Sequence, residues 1–281
     1  MSAHGRRQFL KNAALAGAAG VAGALPGAAE AAVQPPRAER VTFEIPDLDP
    51  AHDGLRIAQL SDLHLGPKAE PSLVREAIEQ ANAFQPDLVV LTGDYVCHRE
   101  TDVPHVRDHL GGLGAPVLAT LGNHDVWVDP GGITAALREH GYEVIENGWT
   151  TLRLRGAPLA VVGVGDHMTG HDDVLAATRG LPSGGPPPLV LAHGPRTADK
   201  LAALERPALC LSGHTHGGQI NLPILTPLAL ATIRERYQRG HYRVGGVHLY
   251  VNRGIGTSGL RLRFNSPPEV TLATLRRTEP A

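Results

Sequence analysis

Five short segments of the chain carry residues that can bind cations or move protons: "SDLH" (Asp62, His64), "GD" (Asp94), "GNHD" (Asn123, His124, Asp125), "AHG" (His193) and "GHTH" (His214, His216). In extended backbone, residues two apart point the same way, so His214 and His216 can aim at one point. Neutral imidazoles, carboxylates and an amide oxygen are ligands for divalent ions. A single zinc or iron takes three or four protein ligands. Asp62, His64, Asp94, Asn123, His193, His214 and His216 together are too many for one ion and suit two. No cysteine joins these segments, which favours Mn, Fe, Zn or Mg over a soft metal.

Each segment follows a short apolar run, and those runs define the elements that must position it. "LRIAQL", "PDLVVL", "APVLAT", "PPLVLA" and "PALCLS" read as buried strands. Residues 70–84 and 102–111 carry helical spacing, and "GGITAALREHGYEVI" reads as a helix feeding a strand. Strands alternating with helices predict an α/β layered fold whose ligands gather at the strand carboxyl ends. "TTLRLRGAPLAVVGVGD" predicts a hairpin turning at "RGAP", and "EVTLATLRR" a final strand. Residues 32–53 read as a linker and an edge strand, and 54–281 as the catalytic domain.

Twenty-six basic residues against 28 acidic ones leave no basic excess, so composition offers no nucleic-acid-binding surface. The two cysteines, Cys97 and Cys210, form no CxxC pair and read as buried thiols. Residues 1–31 begin with Arg6 and Arg7, continue through an Ala/Gly-rich apolar run and end in small residues. That pattern predicts a signal peptide, and the arginine pair before "QFLK" resembles a twin-arginine export signal. The expectation is export across the cytoplasmic membrane by that machinery, to be tested by replacing the pair and following localisation.

"SDLHLG", "LTGDYV", "LGNHD", "LAHGP" and "SGHTHGGQI" resemble, in order, the five motifs of the calcineurin-like metallophosphoesterases. The tail "LYVNRGIGTSGLRLRFNSPPEVTLATL" resembles the bacterial YkuE-like phosphodiesterases. The resemblance implies a four-layered αββα sandwich of two mixed sheets flanked by helices. It further implies that Asp62, His64 and His216 hold one metal, that Asn123, His193 and His214 hold the other, and that Asp94 bridges them. Gly194 and Arg196 depart from the family pattern, and neither is a ligand, so they bear on substrate preference.

Two divalent ions with Asp62, Asp94 and one hydroxide leave about one positive charge to attract a phosphate ester. Water between two such ions is acidic enough to supply the nucleophile. His124 is expected to protonate the leaving oxygen or to stabilise the phosphoryl charge, with Asp125 orienting its ring. Residues 221–242 follow the histidine pair and read two ways, as a loop packed on the core or as a lid touching a lipid-like substrate or a membrane. His167, His171 and Asp172 read as rim residues. Phosphodiester hydrolysis leads. Hydrolysis of a phospholipid or a lipid-linked diphosphate of the UDP-diacylglucosamine pyrophosphatase kind, or of a phosphomonoester, stands as the alternative. With every ligand position filled, a non-catalytic metal-binding scaffold comes last.

Overall fold

Two six-stranded sheets face each other with helices on both outer sides. The computed structural model describes residues 34–67, 69–182, 184–232 and 235–278. The first sheet runs β1 (Arg37–Pro46), β12 (Glu269–Thr278), β2 (Arg56–Leu60), β3 (Leu88–Leu91), β4 (Val117–Ala119) and β5 (Glu143–Val144). The second runs β10 (Gly240–Val244), β11 (Val247–Val251), β9 (Ala208–Ser212), β8 (Leu189–Ala192), β7 (Ala157–Val164) and β6 (Gly148–Leu154). Both are mixed: β2 to β5 are parallel while β12 lies antiparallel to β2, and β7, β8, β9 and β11 are parallel between antiparallel edges β6 and β10.

The layering follows from the side-chain alternation of the central strands, whose two faces are both apolar. In β3, Leu88 and Val90 point between the sheets, where they join Ile57, Leu118, Val161, Leu191 and Leu211. The alternate residues Val89 and Leu91 point outward onto Val74, Ala77, Ile78 and Ala81 of α1 (Pro71–Ala83). Those four recur at helical spacing, and the helix starts with Pro71 and stops before Gln85, left-handed at φ 52°, and Pro86. The same outer layer contains α2 (Val103–His109), α3 (Asn123–Val128) and α4 (Pro130–Glu139). On the far side, Val162, Val190 and Cys210 meet α5 (Val174–Ala177) and α6 (Thr197–Ala203).

The first strand does more than border the sheet. β1 pairs over ten residues with β12 and places Phe43 and Ile45 in the core between the sheets, so residues 37–53 belong to the same packed unit as 54–278. The segment 221–242 contains α7 (Leu225–Thr232) and the start of β10, an edge strand absent from the sequence reading. Among its described residues Ile224, Leu225 and Leu228 are exposed. Residues 1–31, with the export signal expected there, lie outside the described residues, as do Ile233 and Arg234.

Candidate metal centre

All five chemistry-bearing loops leave strand carboxyl ends: Asp62 and His64 after β2, Asp94 after β3, Asn123 after β4, His193 after β8, and His214 and His216 after β9. The loops approach one another because glycines line them. A Cβ on Gly93 would overlap the backbone of Gly122, and one on Gly122 would overlap Asp94. Asp62, His64, Asp94, His214 and His216 have left-handed φ of 51°, 47°, 57°, 74° and 52°. Each such non-glycine residue costs on the order of 1–3 kcal/mol, and strain of this kind gathers at functional sites.

Six of the seven side chains converge by distance. Nε2 of His64 lies 2.9 Å from Nε2 of His216, which lies 3.3 Å from Oδ1 of Asp62. Nε2 of His193 lies 3.2 Å from Nδ1 of His214. Oδ2 of Asp94 stands between the groups, 3.6 Å from His64 Nε2 and 3.2 Å from His193 Nε2. Asp62, His64, Asp94 and His216 each offer one ligand atom within 4.8 Å of the others. Ligand bonds of about 2.0–2.2 Å at right or tetrahedral angles separate neighbouring donors by about 2.8–3.6 Å, which spans the separations seen here. Asn123 supplies a second sign, since its Oδ1 is buried with no hydrogen-bond partner, a costly state that a cation would relieve.

The electrostatics suit cations. Burial pushes His64 down to about 3 and holds His214 and His216 well below the usual imidazole range, so all three are neutral donors at neutral pH. Burial acts to raise Asp94 and lower His193. The charge and hydrogen bond each gives the other prevail, holding the Asp94 carboxyl well below the carboxylate range and His193 well above its own. Burial also lifts Asp62 to about 6. Outer partners fix the rings and carboxylates: His193 Nδ1 donates to the Thr92 carbonyl at 2.7 Å, and Ser61 Oγ to Asp62 Oδ2 at 2.7 Å.

Asp125 does not orient His124. Its carboxylate accepts from the backbone N–H groups of Asp94 at 2.7 Å, Gly122 and Tyr95 at 2.8 Å, and Val96 at 3.4 Å. It therefore clamps the β3 and β4 loops together, and burial, then Asp94, raises it to about 7. The orienting group is the Cys97 carbonyl, which accepts from His124 Nδ1. His124 is only partly buried and packs edge-on against His64 at 4.9 Å, so it lies at the open side of the cluster. His167 packs against His214 at 5.5 Å, while His171 and Asp172 lie further along that loop, where Asp172 pairs with Lys200 at 2.6 Å.

The sequence reading missed Arg263 and Cys97. Arg263 is buried, donates to the carbonyl of Arg253 at 2.9 Å and faces His216 Nδ1 at 3.3 Å. A buried arginine in a loop leaves no periodic signal; only its place in the tail "LRLRFNSPP" hinted at it. A cavity of about 280 Å³ opens beside His64, and its lining includes Leu63, Leu73, Val74, Ile255, Arg99 and Arg261.

The family model for calcineurin-like phosphoesterases matches residues 55–218, more than half of the chain and the stretch that contains every candidate ligand. The chain belongs to the calcineurin-like phosphoesterase family. It is 36% identical to the uncharacterized metallophosphoesterase YkuE of Bacillus subtilis, over 97% of this chain and 98% of that protein. It is 34% identical to the phosphodiesterase YaeI of Escherichia coli, over 78% and 82%. It is 28% identical to the UDP-2,3-diacylglucosamine pyrophosphatase LpxG of Chlamydia trachomatis, over 84% and 88%. As a calcineurin-like phosphoesterase with clustered Asp and His donors, it is a metal-dependent phosphoester hydrolase.

Proposed function

We propose that the chain is a phosphodiesterase that works with two divalent ions. The observation that carries this reading is the position of Asp94 Oδ2, within 3.6 Å of a nitrogen donor from each half of the cluster. Asp62, His64 and His216 would hold one ion, Asn123, His193 and His214 the other, and Asp94 both. When bound, such ions acidify water and neutralise phosphoryl oxygens. The donor set of carboxylate, amide and imidazole suits Mn, Fe, Zn or Mg.

The chain's own groups do the rest. Strand-end loops clamped by Asp125 keep the donors in place, so no reorganisation is needed when substrate arrives. His124, its Nδ1 proton held by the Cys97 carbonyl, presents Nε2 to the leaving oxygen; as imidazolium, with a second proton on Nε2, it delivers that proton there and is left neutral. The exposed Trp127 ring, 5.3 Å from His124, forms part of the rim a substrate passes.

A second reading, hydrolysis of a phospholipid or lipid-linked diphosphate, is favoured by the cavity beside His64. Leu63, Leu73, Val74 and Ile255 in its lining suit an apolar chain, and Arg99 and Arg261 suit a second phosphate. The exposed Ile224, Leu225 and Leu228 of the 221–242 segment suit contact with a membrane surface.

The test is a rate comparison on the metal-loaded chain with bis(p-nitrophenyl) phosphate, p-nitrophenyl phosphate and a lipid-linked diphosphate. The expected order puts the simple diester above the monoester, with His124→Ala lowering kcat about 10²–10⁴-fold while leaving bound metal unchanged. Faster cleavage of the lipid diphosphate than of the diester would replace the first reading with the second. Preference for the monoester would sink both.

A further inference from the structure

A second group of donors lies against the metal centre, and it differs from it in chemistry. His64, Cys97 and His124 each bring one ligand atom within 4.8 Å of the other two. Cys97 is partly buried, is not in a disulfide, and lines the cavity that opens at His64. Because the Cys97 carbonyl accepts from Nδ1 of His124, the neutral His124 ring carries its proton there and has its lone pair on Nε2. A ring fixed by a carbonyl in this way is the usual arrangement of a metal-ligating histidine. His64 adds an independent sign, for its Nδ1 is buried with no hydrogen-bond partner.

One thiol and two imidazoles favour softer ions than the carboxylate-rich cluster does. Thiolate is a soft ligand, preferring zinc, cadmium or copper(I), whereas the neighbouring group of Asp62, Asp94, His64 and His216 contains no sulfur. We propose that His64, Cys97 and His124 form a second binding site, for a thiophilic cation, that overlaps the first at His64, and that a cation held there stops hydrolysis.

Binding forms one bond from the cation to Cys97 Sγ and releases the thiol proton to water, with no change of oxidation state. The inhibitory part rests on the roles given above to His64 and His124. A neutral imidazole ligates through one nitrogen only, so a cation that takes His64 withdraws it from Asp62, Asp94 and His216. The same cation occupies the nitrogen of His124 that would protonate the leaving group. Both effects act at once, so loss of rate should follow occupancy of this site and not the loading of the carboxylate cluster.

The test titrates the manganese-loaded full chain with cadmium, reading the ultraviolet charge-transfer band of cadmium–thiolate, bound cadmium per chain by dialysis, and diester cleavage in parallel. Wild type should give a thiolate band that saturates at one cadmium and a parallel loss of activity. Cys97→Ser keeps the backbone carbonyl. It should lose the band, and its own metal-loaded rate should resist cadmium at least about tenfold better than wild type. His124→Ala should weaken the band's midpoint by about tenfold or more. Cys210 is buried, with its thiol pushed up to about 12, so Cys210→Ser should leave the band intact. His216→Ala, which should lose an ion of the carboxylate cluster, should still show the band.

A band that survives in Cys97→Ser, or that is absent from wild type, overturns the site. A band that saturates while hydrolysis continues keeps the site and overturns the inhibition. If no variant hydrolyses any ester but the band appears in wild type and vanishes in Cys97→Ser, the site stands and the hydrolase reading falls.

Discussion

Asp125 holds four backbone N–H groups from two loops, and two of those loops' residues, Asp94 and Asn123, are candidate ligands. Removing it leaves buried donors unsatisfied, at on the order of 1–3 kcal/mol for each group that water cannot reach. Asp125→Ala should therefore destabilise the fold by about 3 kcal/mol or more, read as a lower urea midpoint, while His124→Ala should move it little. Equal midpoints for the two variants would return Asp125 to the role of a catalytic partner. Gly194 makes a similar case for a single atom. A Cβ there would overlap the His167 imidazole, which packs on His214. Gly194→Ala should cost about 1–3 kcal/mol by overpacking, and adding His167→Ala should recover most of it in the melting temperature. No recovery in the double variant would mean that Gly194 serves some other contact.

The strands that supply ligands were legible because each pairs an apolar run with an abrupt polar ending, and a buried parallel strand has no other way to read. β2, β3, β4, β8 and β9 were all found on that basis. β10 was not, because "GHYRV" alternates only weakly and follows a segment rich in Leu and Pro. What β10 does is clear only in the fold, where it covers the edge of β11 and stacks His241 on His248, with ring centroids 5.2 Å apart. Burial, then Arg243, then His241 push His248 down to about 4. The unfolded chain takes up this proton near pH 6.5, whereas the folded chain resists until about pH 4. This residue's contribution to stability is thus full above pH 6.5 and is lost as pH falls toward 4. Melting curves across that window should fall more steeply for wild type than for His248→Gln. Parallel curves would contradict the assignment.

At the scale of the molecule, the fold is a device for bringing five strand ends to one place. The sandwich buries its apolar residues in three layers of contact, two outside the sheets and one between them, and its chemistry lies at the strands' carboxyl ends. Order and patterning gave the layered α/β fold and the strand-end chemistry, whereas the two facing sheets were implied by the family resemblance. The left-handed backbone at five candidate ligand positions could not be read from either, because aspartate and histidine give no advance sign of a positive φ; tertiary packing imposes it. Nor could the pairing of β1 with β12, whose contacts span nearly the whole chain.

The measurement that bears most directly on this account is metal content after reconstitution and dialysis, for wild type, His216→Ala and Asp94→Ala. Wild type should retain close to two divalent ions per chain, His216→Ala close to one, and Asp94→Ala fewer than one, since the bridging carboxylate serves both. An Asp94→Ala chain that keeps two ions, or a wild type that binds none from Mn, Fe, Zn or Mg, would contradict it.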